Sequence, residues 1–366
     1  MKIFHLINSL DDGGAERVLA NLCLNDKDNS HVVCTLLGGG KYKNKLRSKS
    51  IQLYELNIRK DILALLKIFR LVSILKKEKP DILQTWLYHS DLIGGLFGRV
   101  LNISKIVWNV RHTDISSYRM KISTKLIVRF CAILSKYIPS KIIYCSEISR
   151  KIHERIGYVQ EKSFLIHNGV NITQFKPNKK KSMSNILKIG MVGRYSQYKD
   201  HKRLVEFMGK LKKNNIKFKC YLAGENIIKN NFKLLDLIKK NGVLSEIILL
   251  GSVEKIENVY KKLDIHVLLS HSESFPNVLA EAMACEIPCI SSGEGEAKKI
   301  LGKYGFIVDS KGQKQLIKTI NKILKIKSST SKWKKLKTNC RKHIAENFSL
   351  HKMLISYNSL WKSLSN

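Results

Sequence analysis

The sequence predicts an α/β protein made of two doubly wound domains, and three observations carry that prediction. Short apolar runs rich in β-branched residues alternate with longer amphipathic stretches, the alternation restarts half-way along, and a lysine-rich segment separates the two series. A short run that is apolar throughout suits a strand covered on both faces, and strands alternating with helices imply a parallel sheet with right-handed crossovers. A length of 366 residues fits two domains of ordinary size.

In the first series, strands are expected at 3–7, 31–36, 82–86, 106–110, 142–145 and 164–166, with helices at 16–24, 62–76 and 121–137. The second series has strands at 186–192, 217–222, 246–250, 265–269, 287–291 and 305–308, separated by helices at 202–213, 232–240 and 277–284. Lys179, Lys180 and Lys181 give the segment between them the composition of a linker. The expected domains are therefore 1–175 and 176–348, followed by a terminal helix within 349–366 that offers Met353, Leu354, Tyr357, Leu360 and Trp361 for packing. Ligands of such sheets bind beyond the carboxyl ends of the strands, so two facing domains would hold a site in the cleft between them.

The charge is abnormal. Sixty-six Lys and Arg against 29 Asp and Glu give +37, and such a surface attracts nucleic acid, anionic lipid or phosphorylated small molecules. With 44% hydrophobic residues the chain is not a disordered or fibrous one. The eight cysteines form no CxxC pair and no Cys/His spacing of a zinc site, and read as buried free thiols. No stretch has the form of a signal peptide or the roughly 18 apolar residues of a membrane span, so a cytoplasmic protein with at most peripheral membrane contact is expected.

Four segments carry chemistry. Gly13 and Gly14 follow the first strand and open a helix, where backbone can pass close to a ligand and free N–H groups suit an anion. The GxGxxG dinucleotide spacing is absent. Arg194 and Lys199 follow the first strand of the second series just before a helix. A planar fork, a point charge and a helix N-terminus together suit a diphosphate. In Glu273-Ser274-Phe275-Pro276-Asn277-Val278-Leu279-Ala280-Glu281, Pro276 is placed to start a helix. Glu273 and Glu281 can then reach different parts of one elongated ligand, with free N–H groups of Phe275, Asn277 and Val278 between them. His112 ends the strand at 106–110, where it can meet a sugar hydroxyl or a developing charge. His89, His167 and His271 have similar claims, and position favours His112.

These segments resemble those of the family 4 glycosyltransferases, retaining enzymes of the GT-B fold that use nucleotide sugars, and the resemblance runs over nearly the whole chain. It rests on Gly-Gly-Ala-Glu-Arg-Val-Leu at 13–19, His-Asn-Gly-Val-Asn at 167–171, Gly193-Arg194 with Lys199, and the E-x7-E element from Glu273 to Glu281. The resemblance implies that Gly14 approaches the donor phosphates, that Arg194 and Lys199 hold the diphosphate, and that Glu281 binds the ribose hydroxyls. It further implies that Glu273 holds the sugar with the Phe275 and Asn277 backbone, that His112 lies near that sugar, and that the terminal helix returns to the first domain. Two departures stand out: Tyr195-Ser196-Gln197-Tyr198 replaces the commoner Pro-Glu-Lys-Gly, and Glu286 replaces a glycine after Cys285.

The expected activity is transfer of a hexose or N-acetylhexosamine, a UDP-sugar being favoured, to a glycan acceptor. A polyprenyl-diphosphate-linked oligosaccharide of O-antigen or capsule synthesis is the acceptor envisaged. No metal ion or other cofactor is expected, because two side-chain cations face the leaving diphosphate. Between Asp114 and Glu147 there is no acid, and Lys121, Lys125, Arg129 and Lys136 share one arc of the helix at 121–137. That arc is either a solvated face or one that docks to an anionic membrane surface. The basic stretch 311–342 reads as surface. The alternatives are a GT-B epimerase or phosphorylase, or a basic nucleic-acid-binding protein, although no specific nucleic-acid motif is present.

Overall fold

The structure is a computed structural model that describes residues 1–58, 64–113, 115, 120–178, 184–309 and 313–365. The linker lysines 179–181 and Lys311 lie outside the described residues. The chain divides into two compact units, Met1–Gly169 with Leu350–Asn366, and Val170–Ser349. The first junction falls before the expected 175/176 because the intervening residues are tied to the second unit. Val170 bridges to Ser349, Phe175 packs edge-on against Tyr260, and Arg341 donates to the carbonyls of Ile172 and Phe175.

In the first unit the order is β1 (Lys2–Ile7), α1 (Gly14–Asn25), β2 (Ser30–Thr35), α2 (Lys43–Arg47), β3 (Gln52–Glu55) and α3 (Ala64–Glu78). Then come β4 (Ile82–Trp86), α4 (Tyr88–Val100), β5 (Ile106–Val110), α5 (Ile122–Leu134), β6 (Lys141–Tyr144), α6 (Glu147–Arg155) and β7 (Ser163–Leu165). Among the described residues the sheet runs β3, β2, β1, β4, β5, β6, β7, and every pairing in it is parallel. The chain leaves β1 in one direction and returns on its other side as β4, so the topological switch point lies between those two strands.

Strands apolar on both faces produce two cores. Phe4 and Leu6 of β1 face a layer that includes Leu71, Leu75, Val128 and Cys131, whereas Ile3 and Ile7 face Val18, Leu19 and Leu22. The second unit repeats the plan with β8 (Leu187–Val192), α7 (His201–Lys213), β9 (Phe218–Ala223), α8 (Phe232–Lys240), β10 (Ile247–Leu249) and α9 (Glu257–Tyr260). It continues with β11 (Ile265–Leu268), α10 (Asn277–Ala284), β12 (Cys289–Ser291), α11 (Ala297–Leu301), β13 (Phe306–Ile307), α12 (Gln313–Lys327) and α13 (Thr330–Asn347). Its parallel sheet has the order β10, β9, β8, β11, β12, β13, with the switch point between β8 and β11. All eight cysteines are buried free thiols.

The terminal helix α14 (Leu350–Ser365) belongs to the first unit. Leu350, Met353, Tyr357, Leu360 and Trp361 complete the layer around Ile3 and Ile7. Its polar groups are equally committed: Trp361 donates to Gln84 at 2.8 Å, and the Tyr357 hydroxyl accepts from Asn109 at 2.9 Å and from Arg111.

Under this helix runs a hydrogen-bond chain whose proton positions are determined. The Trp86 indole can only donate, so His5 accepts at Nδ1 (3.2 Å) and donates from Nε2 to His31 (3.0 Å), which in turn donates to Asp26 (3.1 Å). Burial and His31 hold His5 well below the usual imidazole pKa, so His5 stays neutral in this chain. Burial pushes the Asp26 carboxyl up, but hydrogen bonds from His31, Asn29, the Asp28 backbone and Asn358 outweigh it and hold the group charged.

Replacing Trp361, which is fully buried, with alanine should cost about 3–5 kcal/mol. Urea unfolding followed by circular dichroism measures this, and a loss below about 1 kcal/mol would contradict the packing role of α14.

Candidate active site

The loops that follow β8 and β11, the two strands at the switch point of the second unit, bring together most of the residues expected to act. Gly193 donates to the Ala223 carbonyl at 2.8 Å and Tyr195 to that of Glu225 at 2.8 Å, so the loop carrying Arg194 lies against the end of β9. Gly224 has φ +148°, and a Cβ there would fall 2.2 Å from the Gly193 carbonyl oxygen, so only glycine permits this approach. Asp200, in the left-handed region at φ 49°, caps α7 by accepting from the Arg203 N–H at 3.1 Å.

The two loops are joined by three interactions. Lys199 Nζ meets Glu273 Oε1 at 2.5 Å, His271 Nε2 meets Asp200 Oδ2 at 3.0 Å, and the His271 N–H donates to the Tyr198 carbonyl at 2.8 Å. Arg194, on the first of these loops, is exposed and forms no ion pair among the described residues. A cation left open and a second cation held by a carboxylate thus lie on loops at the end of one parallel sheet. The segment Gly293–Glu296 braces the other side: Glu296 donates to the Ser274 carbonyl at 3.0 Å, and Gly295 at φ +60° leaves no room for a Cβ, which would sit 2.2 Å from the Glu273 carbonyl oxygen. Glu294 lies close enough to feel Glu273 and His271, and burial raises its carboxyl pKa.

On α10, Glu281 is buried and accepts from the Tyr260 hydroxyl at 3.0 Å. Phe275 turns its ring into the protein, edge-on to Phe348 at 5.7 Å, so its side chain is not offered to a ligand. The expected free N–H of Asn277 is not found, because it donates to the Phe275 carbonyl at 2.9 Å. The reason lies in Pro276, which sits before the helix as its cap at φ −73°, ψ 84° and closes a three-residue turn. Val278 stands half-buried in the first turn of α10.

In the first unit, Gly13 caps α1 with no side-chain hydrogen bond and Gly14 is exposed at its first position. The helix N-terminus is not bare, since the Glu16 carboxylate folds back over Gly13. His112 lies two residues beyond β5. Its carbonyl accepts from Ser149 Oγ at 2.6 Å, and its ring stacks on Tyr88 with centroids 5.6 Å apart. Tyr88 is oriented in turn by donating to His153 Nε2 at 2.7 Å, while His153 Nδ1 donates to the Ser149 carbonyl. Leu87, between β4 and α4, has φ 72° and ψ 154°, a conformation nearly restricted to glycine. Beside it, burial pushes the Asp91 carboxyl up to about 7 despite a 2.5 Å hydrogen bond from Thr85.

Comparison with known proteins accounts for both halves. Residues 12–174 match the family model described as Glycosyltransferase Family 4, and residues 172–343 match that described as Glycosyl transferases group 1. The chain is a family 4 glycosyltransferase. A galactosyltransferase of Escherichia coli, named UDP-Gal:α-D-GlcNAc-diphosphoundecaprenol α-1,3-galactosyltransferase, is 26% identical to the transferase over 325 residues, covering 82% of this chain and 79% of that one. EpsF of Bacillus subtilis is 33% identical over 104 residues, which are 28% of this chain and about a quarter (27%) of EpsF. Among solved structures, Anabaena HepE in complex with UDP and glucose superimposes with a TM-score of 0.84 at 20% identity, over 99% of the transferase and all of HepE. The fold is GT-B.

Among the described residues of the transferase, one His/Cys cluster brings metal-ligating atoms within 4.8 Å of one another: His5, Cys23 and His31. Three of its four imidazole nitrogens are used in the Trp86–His5–His31 chain and the fourth bonds Asp26. Burial also raises the Cys23 thiol pKa far above the thiolate range that metals select, so the cluster is built as a proton-ordered core. The Asp-x-Asp spacing at Asp26 and Asp28 belongs to the same turn, where both carboxylates accept from Asn358.

Two imidazoles beside the loop that follows β8 couple the second unit to pH. Burial holds His201 down at about 4 and His266 at about 3, His266 accepting from the Val192 N–H. Both are neutral in the fold and titrate near 6.5 when unfolded, so stability is full above pH 6.5 and falls as pH drops toward 4. Each contributes about 1.4 kcal/mol per pH unit in that window, or roughly 3–4 kcal/mol together between pH 6.5 and 5. Urea unfolding at pH 7.5 and 5.0 of the unaltered chain and of His266→Gln isolates the contribution of His266 from those of His5 and Asp91 in the first unit: the change in stability between the two pH values should differ by roughly 1.5–2 kcal/mol between the two proteins. An identical pH dependence in both would refute the neutral burial of His266.

Proposed function

We propose that the transferase moves a hexose or N-acetylhexosamine from a UDP-sugar, with retention, to a glycan carried on a polyprenyl diphosphate, working at the inner face of the cytoplasmic membrane. The observation that carries this reading is the ion pair of Lys199 with Glu273 between two loops at the switch point of one sheet, the first of which also carries the exposed Arg194. Lys199 is paired with a carboxylate at 2.5 Å; a diphosphate would take over the cation and leave Glu273 to accept hydroxyl hydrogen bonds from the sugar. The UDP in HepE and the diphosphoundecaprenol acceptor in the name of the Escherichia coli relative support the choice of donor and acceptor.

In the proposed reaction the bond between the anomeric carbon and the β-phosphate oxygen breaks as the acceptor oxygen bonds to that carbon. The acceptor's proton passes to the departing phosphate oxygen. Arg194 and Lys199 stabilise the negative charge where it develops, a role in which a preorganised donor is worth several kcal/mol. A metal ion is not part of the scheme. His112, held in place by Tyr88 and Ser149, contributes a polar edge to the sugar. Lys121, Lys125, Arg129 and Lys136 supply the positive face toward the anionic leaflet.

Arg194→Ala and Lys199→Ala should each lower turnover by roughly 10²–10³-fold, measured as UDP release that depends on addition of a lipid-linked acceptor. Release in the presence of acceptor by both variants at the normal rate would sink the assignment. UDP-sugar consumption without any acceptor dependence would favour an epimerase or phosphorylase.

A further inference from the structure

Helix α10 buries a stretch that is apolar apart from one residue. Leu279, Ala280, Ala282, Met283 and Ala284 are buried along it, and Glu281 lies among them at 3% exposure. A carboxylate in such surroundings is costly unless hydrogen-bond donors meet it, and packing alone would be served as well by an aliphatic side chain. What holds this charge in place therefore bears on what the charge does.

One of its donors is Tyr260, the last residue of α9, whose hydroxyl donates to Glu281 Oε2 at 3.0 Å. A tyrosine hydroxyl moves only as its ring moves, and this ring is fixed. It is fully buried, edge-on to Phe175 at 6.0 Å and tilted against His266 at 5.8 Å. His266 is held in turn, because its Nε2 accepts from the Val192 N–H at 3.2 Å. Val192 ends β8, two residues before Arg194. A buried path thus runs from the strand that leads into the Arg194 loop, through His266 and Tyr260, to the carboxylate of Glu281.

The two side chains differ in freedom. A glutamate has three side-chain torsions to order, whereas the tyrosine ring is already set by its packing, so a bond from the ring passes its fixed position on to the carboxylate. Less ordering then remains for a ligand to provide. A carboxylate offers about four acceptor sites, so the bond from Tyr260 does not bar two vicinal hydroxyls.

We infer that Tyr260 is a positioning residue that acts through Glu281: by holding Oε2 it orients the carboxylate to receive both ribose hydroxyls of a nucleotide, and so sets a preference for ribonucleotides over deoxyribonucleotides. This inference rests on the UDP-sugar reading above, with Glu281 as the group that meets the ribose, and adds to it a residue and a specificity. A nucleotide without those hydroxyls leaves the buried carboxylate short of donors, which is the physical source of the preference.

The test is calorimetric titration of the full chain with UDP and with 2′,3′-dideoxy-UDP, which keeps the base and the diphosphate but lacks both hydroxyls. The unaltered chain should bind UDP at least about tenfold more tightly. Tyr260→Phe removes one oxygen and leaves the ring, so that preference should fall by about threefold to tenfold while affinity for the dideoxy nucleotide stays within about twofold. Glu281→Ala should abolish the preference, and adding Tyr260→Phe to it should change UDP affinity by less than about twofold, because the tyrosine acts only through the carboxylate. Placing 4-aminophenylalanine at position 260 returns a donor to the same place and should restore most of the preference. An unchanged preference in Tyr260→Phe would overturn the inference and leave the donor reading standing, and so would an equal loss of UDP affinity with and without the Glu281 carboxylate. Loss of the dideoxy nucleotide in Tyr260→Phe would make the tyrosine a structural residue and overturn the inference as well. Equal binding of both nucleotides by the unaltered chain would remove the ribose contact, and binding of neither would remove the UDP-sugar reading together with it.

Discussion

Strands that are apolar on both faces must be covered on both faces, and everything else in this protein follows from that constraint. A helix between each pair of strands is the connection that supplies the cover, and it forces the strands to run parallel. All strand ends of one polarity then lie along one edge of each sheet. Where the order reverses, between β1 and β4 and again between β8 and β11, the neighbouring loops diverge and leave a crevice. The loops that carry Arg194, Lys199 and Glu273 lie at the second of these switch points, and His5, Trp86 and Trp361 pack together in one layer of the first unit.

The loops that follow β8 and β11 show how such a crevice is made rigid. Two glycines, Gly224 and Gly295, allow backbone to press against the Arg194 loop on one side and the Glu273 loop on the other. Lys199, Asp200, Glu273 and His271 then tie those loops together through charge. The pairing of Lys199 with Glu273 holds both side chains in one orientation, so a ligand bound between these loops would have less ordering to provide.

Much of this was legible in the sequence. The buried strands announced themselves as apolar runs, and the loops that carry Arg194, Lys199 and Glu273, and the helix that carries Glu281, follow strands at 186–192 and 265–269 as the sequence implies. What stayed hidden depended on tertiary contacts. Helix α4 carries Gly94, Gly95 and Gly98, which lower its helix propensity, yet a Cβ at Gly94 would meet Leu6 and Thr85 at 2.7 Å. The sheet requires those glycines, and no local pattern says so. Edge strand β3 is partly exposed and so lacks the continuous apolar run. Tyr260 beside Glu281, Glu294 beside Glu273, and Tyr88 under His112 are brought in from distant stretches of chain. The turn at Pro276 that consumes the Asn277 N–H is a backbone event, and it is read only from φ and ψ.

The central claim is that Arg194 and Lys199 hold a diphosphate, and the affinity difference between UDP and uridine tests it most directly. Isothermal titration of the unaltered protein should show UDP binding at least about a hundredfold more tightly than uridine, as two charge-assisted contacts imply. In the Arg194→Met, Lys199→Met double variant the two ligands should bind nearly alike, at the level of uridine. Equal affinity of UDP and uridine for the unaltered protein would contradict the account.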